Sequence, residues 1–297
     1  MSELRGRAFL AWLFIAIGWG ATFPAMRVGV VTIPPFLLAG IRFGSAGLLL
    51  LAGALLAGAR LPTRPRDWGT LALVGCLLLA SGNGVVVWAS QYVDSGSASI
   101  YVAAVALWSA CFDALVPGGT TPFTWQLATG LGVGLLGTAI LTGVTPRTLF
   151  HTDLRGPLAL LGASASWSWG TIYLKRHPVA VGSGMAAALQ MLIGGLALFL
   201  VATLRHEWPG LHPSQGALVA LAYLVVFGSI LGYTAWAYAL RHASATVVGT
   251  YAYVNPVVAV LIGWLYLGEP LTPRKLVAMA VVIGAVVWIH KTVSGKR

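Results

Sequence analysis

Few side chains in this sequence are placed to do chemistry away from water. Arg42 interrupts one apolar run, Asp113 is the one carboxylate well inside another, and Asn83 sits between Gly82 and Gly84 in a third. Ionisable groups in such surroundings are costly and functional by default. Arg42 has three uses open to it: to snorkel to an interface, to hydrogen-bond a neighbouring helix, or to meet a ligand carboxylate. Asp113 lies four residues before Pro117, where a solvated mouth or a bond to another helix is favoured over a proton relay. Asn83 needs partners from another helix, water or a ligand, and packing and ligand contact stand level. Pro256 removes a backbone N–H and frees a carbonyl. Such groups are tolerated in hydrocarbon only when buried or lining a cavity, and Asn255 beside it adds an amide. Arg42, Asp113 and Pro256 are therefore the candidates for gating or proton-linked roles.

Catalysis finds no support. The six histidines (His151, His177, His206, His212, His242 and His290) fall in loops or near helix ends. There is no His-x-x-x-His, no Gly-x-Ser-x-Gly and no paired cysteine set, so neither a metal site nor a nucleophile is indicated. No cofactor is expected, and the protein is not read as an enzyme. Cys76 and Cys111 both lie in apolar stretches, where disulfides are not at home, and are read as small core residues.

Of twelve tryptophans, Trp68, Trp125, Trp208, Trp264 and Trp288 suit interfacial belts, while Trp19, Trp108, Trp167 and Trp169 are too central for that. Trp108 and Tyr101 are seven apart and share a helix face. Tyr253 falls on the matching face of a later helix. Packing explains one central tryptophan; a symmetric set favours a lined cavity. Trp19, Trp108, Trp169, Tyr101 and Tyr253 are the expected apolar walls, and Asn83 and Asn255 the polar anchors.

The elements that must hold these residues follow from charge. Hydrophobic residues make up 58% of the chain and charged ones only 8%, against roughly 25% in a soluble domain. Too few charges remain to coat a soluble globule of 297 residues, so the expected solvent is a bilayer. The net charge of +11 comes from scattered single bases rather than the continuous stripe that phosphate binding needs, which sets nucleic acid aside.

A crossing helix needs about 20 mostly apolar residues, and the gaps between charges give ten spans. They run roughly over 8–29, 35–58, 68–91, 97–117, 123–143, 156–174, 182–204, 215–240, 245–267 and 272–290. Pro117-Gly118-Gly119 and Pro122 break the helix before the fifth. Eleven bases fall on the side of the termini against five on the other, which predicts both termini in the cytoplasm.

The chain also repeats itself at a period near 148–150. Trp19-Gly20 faces Trp169-Gly170, Trp88-Ala89 faces Trp236-Ala237, and Pro122-Phe123-Thr124 faces Pro270-Leu271-Thr272. Five helices per half is an odd number, so residues 1–148 and 149–297 are expected to be inverted copies. Transporters commonly have such halves, with a midplane site between them.

Asn255-Pro256 followed by Leu267-Gly268-Glu269-Pro270-Leu271-Thr272 resembles the end-of-repeat pattern of the drug/metabolite transporter superfamily, specifically its EamA-type ten-helix members. The two Trp-Gly pairs sit where that family often carries them. In the first half the pattern decays, with Trp108 in the place of Pro256 and Thr121 in that of Glu269. The resemblance implies export across the inner membrane, and the aromatic middle looks most like the aromatic amino acid exporter branch.

The expectation is thus an all-α integral membrane protein of ten transmembrane helices, two inverted five-helix repeats around a central cavity. Spans one, three, four, six, eight and nine should line it, with five and ten as scaffold. Its partners would be the lipid bilayer and a small neutral amphipathic substrate, such as an aromatic or other neutral amino acid. A monomer would suffice. Rivals are a multidrug or other metabolite exporter of the same superfamily, and a membrane scaffold that transports nothing. Glu269 is read as a charge at the start of the tenth span.

Overall fold

The computed structural model describes residues 6–116, 124–142, 153–243, 248–249 and 251–294, without the side chains at 135, 138, 139, 142, 253, 286, 289, 290 and 292–294. The Pro117–Pro122 break, the start expected at 245 and the Tyr253 side chain thus lie outside the described residues. Within them the regular structure is helical and contains no strand. The helices are α1 (Arg7–Gly29), α2 (Pro35–Leu56), α3 (Pro65–Ala89), α4 (Ser95–Leu115) and α5 (Trp125–Thr142). After them come α6 (Arg155–Arg176), α7 (Ser183–Leu204), α8 (Gln215–His242), α9 (Tyr251–Leu267) and α10 (Pro273–Ser294). Six of these (α1, α2, α3, α4, α7 and α8) are long and apolar enough to cross a membrane, and Val254–Leu267 of α9 is a shorter apolar stretch.

Prolines open α2, α3 and α10 at their first turn, where the missing N–H costs nothing. The middles of α3 and α8 widen into π-helix over Cys76–Gly84 and Leu224–Leu231. Such turns leave carbonyls free for other partners. Helix α4 breaks at Ala103 and Ala104, between Val102 and Val105.

Packing is pairwise. Helix α2 lies along α7, α5 along α10, α1 against α8 and α9, and α6 against α3 and α4. Glycines permit the close crossings: a Cβ on Gly47 would stand 2.9 Å from the backbone nitrogen of Leu192, and one on Gly75 would stand 2.7 Å from the Gln190 carbonyl. The Gly row of α5 meets Leu107 of α4 through Gly134 and Val282 of α10 through Gly137. Large apolar side chains such as Leu10, Leu56, Leu196 and Tyr266 point outward, an outer surface that suits lipid rather than water. Cys76 also faces outward, which corrects its reading as a core residue. The five belt tryptophans are all exposed; three of them still donate their indole N–H, Trp68 to Pro62, Trp208 to Thr203 and Trp288 to Gln126.

Carboxylates close the end of the fold that holds the α1–α2 and α3–α4 turns. Glu207 Oε2 accepts from the backbone N–H groups of Phe36 and Leu37, each at 3.0 Å, at the start of α2. Glu269 accepts from Ser95 N–H at 2.7 Å and Gly96 N–H at 3.1 Å, at the start of α4. The sequence reading gave Glu269 to the tenth helix. Instead it neutralises the orphan donors of another helix, because the α9–α10 turn folds back over α4.

Asp94 caps α4 as well, accepting from Ser97 N–H at 2.9 Å and from Lys275 Nζ at 2.6 Å. Burial acts to raise the pKa of this carboxyl, yet the hydrogen bonds from Lys275 and Ser97 and the lysine charge outweigh it and hold the value below the ordinary 3.8. A depressed carboxylate pKa adds stability that is complete above the unfolded-state value and disappears as pH falls through the folded one. Thermal melting in detergent should therefore carry the full Asp94 contribution at neutral pH, change little with pH there, and fall off below about pH 4. Lys275→Met should lower the melting temperature at pH 7 and flatten part of that acid limb. An acid limb unchanged in the variant would rule the pair out as its origin.

Candidate functional site

A cavity of about 60 Å³ lies where α1, α2, α3, α4, α6, α8 and α9 meet. Helices α5 and α10 stand outside it, packed on each other. The sequence did not place α2 at the cavity, yet α2 contributes Arg42 and Phe43.

Trp19 stands at the centre of one wall. Its indole N–H donates to the Gly228 carbonyl at 2.9 Å, a carbonyl within the π-helical stretch of α8. A Cβ at Gly232 would come within 2.3 Å of that indole nitrogen, so glycine there makes room for the ring. Around Trp19 gather Trp167 at 5.6 Å edge-on, Tyr251 at 5.0 Å edge-on and Trp236 at 6.5 Å between centroids. Tyr233 joins at 5.1 Å from Trp236 and hydrogen-bonds Gln190 through its hydroxyl. Tyr233 borders the cavity on one side and, on the other, a second recess lined by Gln190, Trp236, Lys175 and Arg241. The aromatic cluster is therefore a partition between the two.

The polar side of the cavity holds Arg42, Asn83, Ser164 and Asn255. Arg42 is 3% exposed. Its Nε donates to Ser229 Oγ at 2.8 Å and its Nη1 to Asn83 Oδ1 at 3.3 Å. The guanidinium also lies over the Phe43 ring at 4.6 Å. Ser229 is delivered by the π turn of α8 and Asn83 by that of α3. Asn255 is 5% exposed, and its Oδ1 has no hydrogen-bond partner among the described residues.

Of the ten residues singled out from the sequence, the cavity brings together Trp19, Asn83, Arg42 and Asn255. Tyr101 is buried but does not line it. Trp108 stacks on Phe112 at 5.7 Å, beside the cavity rather than in it. Trp169 is 41% exposed and meets Phe112 edge-on at 5.6 Å, on the outer face of α6. Pro256 lies in α9 outside the lining, and Asp113 lies 4.0 Å from Arg176 toward the end of α4. For Tyr253 only the backbone, in α9, is described.

Sequence reasoning left Trp167, Tyr233, Trp236, Tyr251 and Ser229 out of the site, although it counted Trp167 among the central tryptophans and used Trp236 in the repeat. A signal for the first was present. Trp88 and Trp236 are 148 apart, and the same offset from Trp19 lands on Trp167, not Trp169. The adjacent Trp-Gly pairing drew the alignment two residues off, onto the opposite face of the helix.

A helical cavity walled by aromatics around one buried cation, Arg42, has the character of a binding site. Comparison with known proteins agrees. The sequence profile of the EamA-like transporter family matches twice, over residues 6–143 and 154–290. An Escherichia coli (strain K12) protein named "Uncharacterized inner membrane transporter YedA" is 39% identical over 282 residues, spanning 95% of this chain and 90% of its own. The "Probable terminal-alkyne amino-acid exporter" of Streptantibioticus cattleyicolor is 26% identical over 98% of this chain and 96% of its own. The "Probable amino-acid metabolite efflux pump" of Salmonella typhimurium is 28% identical over 96% and 95%. A solved crystal structure with 20% identity superposes at a TM-score of 0.70 over 95% of both chains. Fold, cavity and these matches lead to one conclusion: the chain belongs to the EamA-like transporter family, a family of membrane transporters and not of enzymes.

Proposed function

We propose that the protein is a secondary transporter that exports small, net-neutral amphipathic metabolites, neutral amino acids foremost, across the inner membrane by alternating access. The observation that carries this reading is the central cavity, closed on one side by an aromatic partition. Two relatives bear the names of amino-acid exporters, which supports the substrate class. Ten transmembrane helices in two inverted halves, 1–148 and 149–297, with both termini in the cytoplasm, complete the reading. The repeated family match supports the halves, and so does the packing. The contacts of α1 with α8 and α9 have their counterparts in those of α6 with α3 and α4. The two π-helical stretches also begin 148 residues apart, at Cys76 and Leu224.

The halves differ in one respect that suits alternating access. Trp236 is locked in the aromatic partition, while its counterpart Trp88 packs at a tilt against Tyr92, 4.9 Å between centroids, beside a recess lined by Val30, Pro35 and Arg205. Exchange of the two arrangements would seal that recess and open the other, the usual consequence of inverted repeats. The aromatic wall discriminates only weakly, about 1–3 kcal/mol per methylene, so a broad range of apolar side chains would be carried.

A multidrug exporter for cations is the less favoured alternative, because no Asp or Glu is among the described lining residues. Purified protein in liposomes decides between them. Saturable flux of labelled leucine or phenylalanine is expected; cation flux without amino acid flux would sink the reading, and no flux of either kind would leave a scaffold. A pH gradient imposed on wild type and Asp113→Asn reads proton coupling: an Asp113 that only pairs with Arg176 leaves the gradient response intact.

A further inference from the structure

Among the described residues the central cavity holds one charge and no group of opposite sign. Among its described lining residues Arg42 alone is ionised at neutral pH, and no carboxylate pairs with it among the described residues. The partners it has are neutral: the Ser229 hydroxyl, the Asn83 amide oxygen, the Met26 sulfur at 3.8 Å and the Phe43 ring. A guanidinium carries five N–H donors, and its Nη2 makes no hydrogen bond among the described residues. Space for Nη2 is kept by Gly228, where a Cβ would stand only 3.0 Å away. Elsewhere on the same cavity, Asn255 Oδ1 is a buried acceptor without a donor among the described residues. A buried cation and an orphaned acceptor are each costly when empty, and both line the same cavity.

We infer that Arg42 is the carboxylate-binding residue of this cavity and that Asn255 accepts from a donor near that carboxylate, so that the ligand is a small monocarboxylate bearing an amino or hydroxyl group and an apolar body. The inference rests on the reading of the cavity as the transport site and narrows its substrate. A planar guanidinium matches a carboxylate in charge and shape. A phosphate dianion would exceed the single charge present, and an amine without a carboxylate would add a second cation beside the first. The apolar body would lie against Trp19, Trp167 and Tyr251.

Binding to detergent-purified protein tests this without requiring transport. The probes are leucine, 2-hydroxy-4-methylpentanoate and isopentylamine, titrated by equilibrium dialysis. Leucine and the hydroxy acid should bind, and isopentylamine at least roughly tenfold more weakly, about 1.4 kcal/mol. Arg42→Gln should lose the binding of both acids, Arg42→Lys should recover part of it, and Asn255→Leu should weaken both acids. Should Arg42→Gln fail to fold, Gly228→Ala serves in its place: it crowds Nη2 without removing the charge and should weaken the two acids. Equal binding of leucine and isopentylamine overturns the inference, as does acid binding unchanged in a folded Arg42→Gln or in Gly228→Ala, or no binding of either acid by wild type. Flux in liposomes is read separately. Leucine flux that ignores Arg42 removes the carboxylate site and keeps the transporter, whereas Arg42-dependent binding without flux does the reverse.

Discussion

Gly195→Val should prevent recovery of a folded, monodisperse protein. A Cβ on Gly195 would stand 2.8 Å from the Gly44 backbone nitrogen and 3.2 Å from its Cα. Those neighbours are backbone, so no side chain can swing aside. In a bilayer the close α2–α7 crossing draws its strength from van der Waals contact and not from the exclusion of water, so forcing the helices apart removes the attraction itself. Overpacking typically costs about 1–3 kcal/mol, and the unyielding contact puts this case at the upper end or beyond. Gly132→Ala is the control. Nothing lies within 4 Å of a Cβ there, and alanine is the better helix former by up to about 1 kcal/mol. Size-exclusion profiles and melting temperatures read both variants. Equal yields of the two would mean that α2 and α7 do not depend on the crossing.

Trp19→Ala is expected to have the second-largest effect, on stability and transport together. Its ring touches Trp167, Trp236 and Tyr251, and its N–H satisfies the Gly228 carbonyl. Truncating a buried tryptophan to alanine costs about 3–5 kcal/mol. The void would also open the partition between the cavity and the recess beyond Tyr233, so the surviving protein should leak or lose coupled flux. Trp19→Phe keeps a ring in the cluster and forfeits the hydrogen bond, a loss of about 1 kcal/mol. It should melt a few degrees lower and still transport. Wild-type melting and flux in Trp19→Ala would show that the partition stands without this ring.

The helices were legible in the sequence for a reason specific to a bilayer. Charge is so costly in hydrocarbon that Arg7, Arg27, Arg176 and Arg205 mark helix ends without any need for periodicity. Expected spans of 8–29, 35–58 and 182–204 accordingly became Arg7–Gly29, Pro35–Leu56 and Ser183–Leu204. The faces were not legible. A helix with lipid on one side and protein on the other is apolar all round, so hydrophobic contrast could not separate Trp167 from Trp169, two residues apart and on opposite faces of α6. Arg42 posed the same problem: nothing local distinguished a snorkelling arginine from one turned inward between Ser229 and Asn83.

The sequence alone determined that this chain belongs in a bilayer, where helices such as α1, α2 and α7 begin and end to within a few residues, that it repeats near every 148 residues, and which family it resembles. Those properties depend on composition and on local exclusion of charge, which every residue records for itself. Only the tertiary structure decided that Trp167 joins Trp19, that Arg42 and Asn255 share one cavity, and that Glu269 caps α4 rather than its own helix. Each brings together residues more than a hundred positions apart, fixed by glycine-sized gaps and by two π-helical turns that rotate the faces beyond them. No local pattern encodes such a rotation, because it follows from how the helices pack.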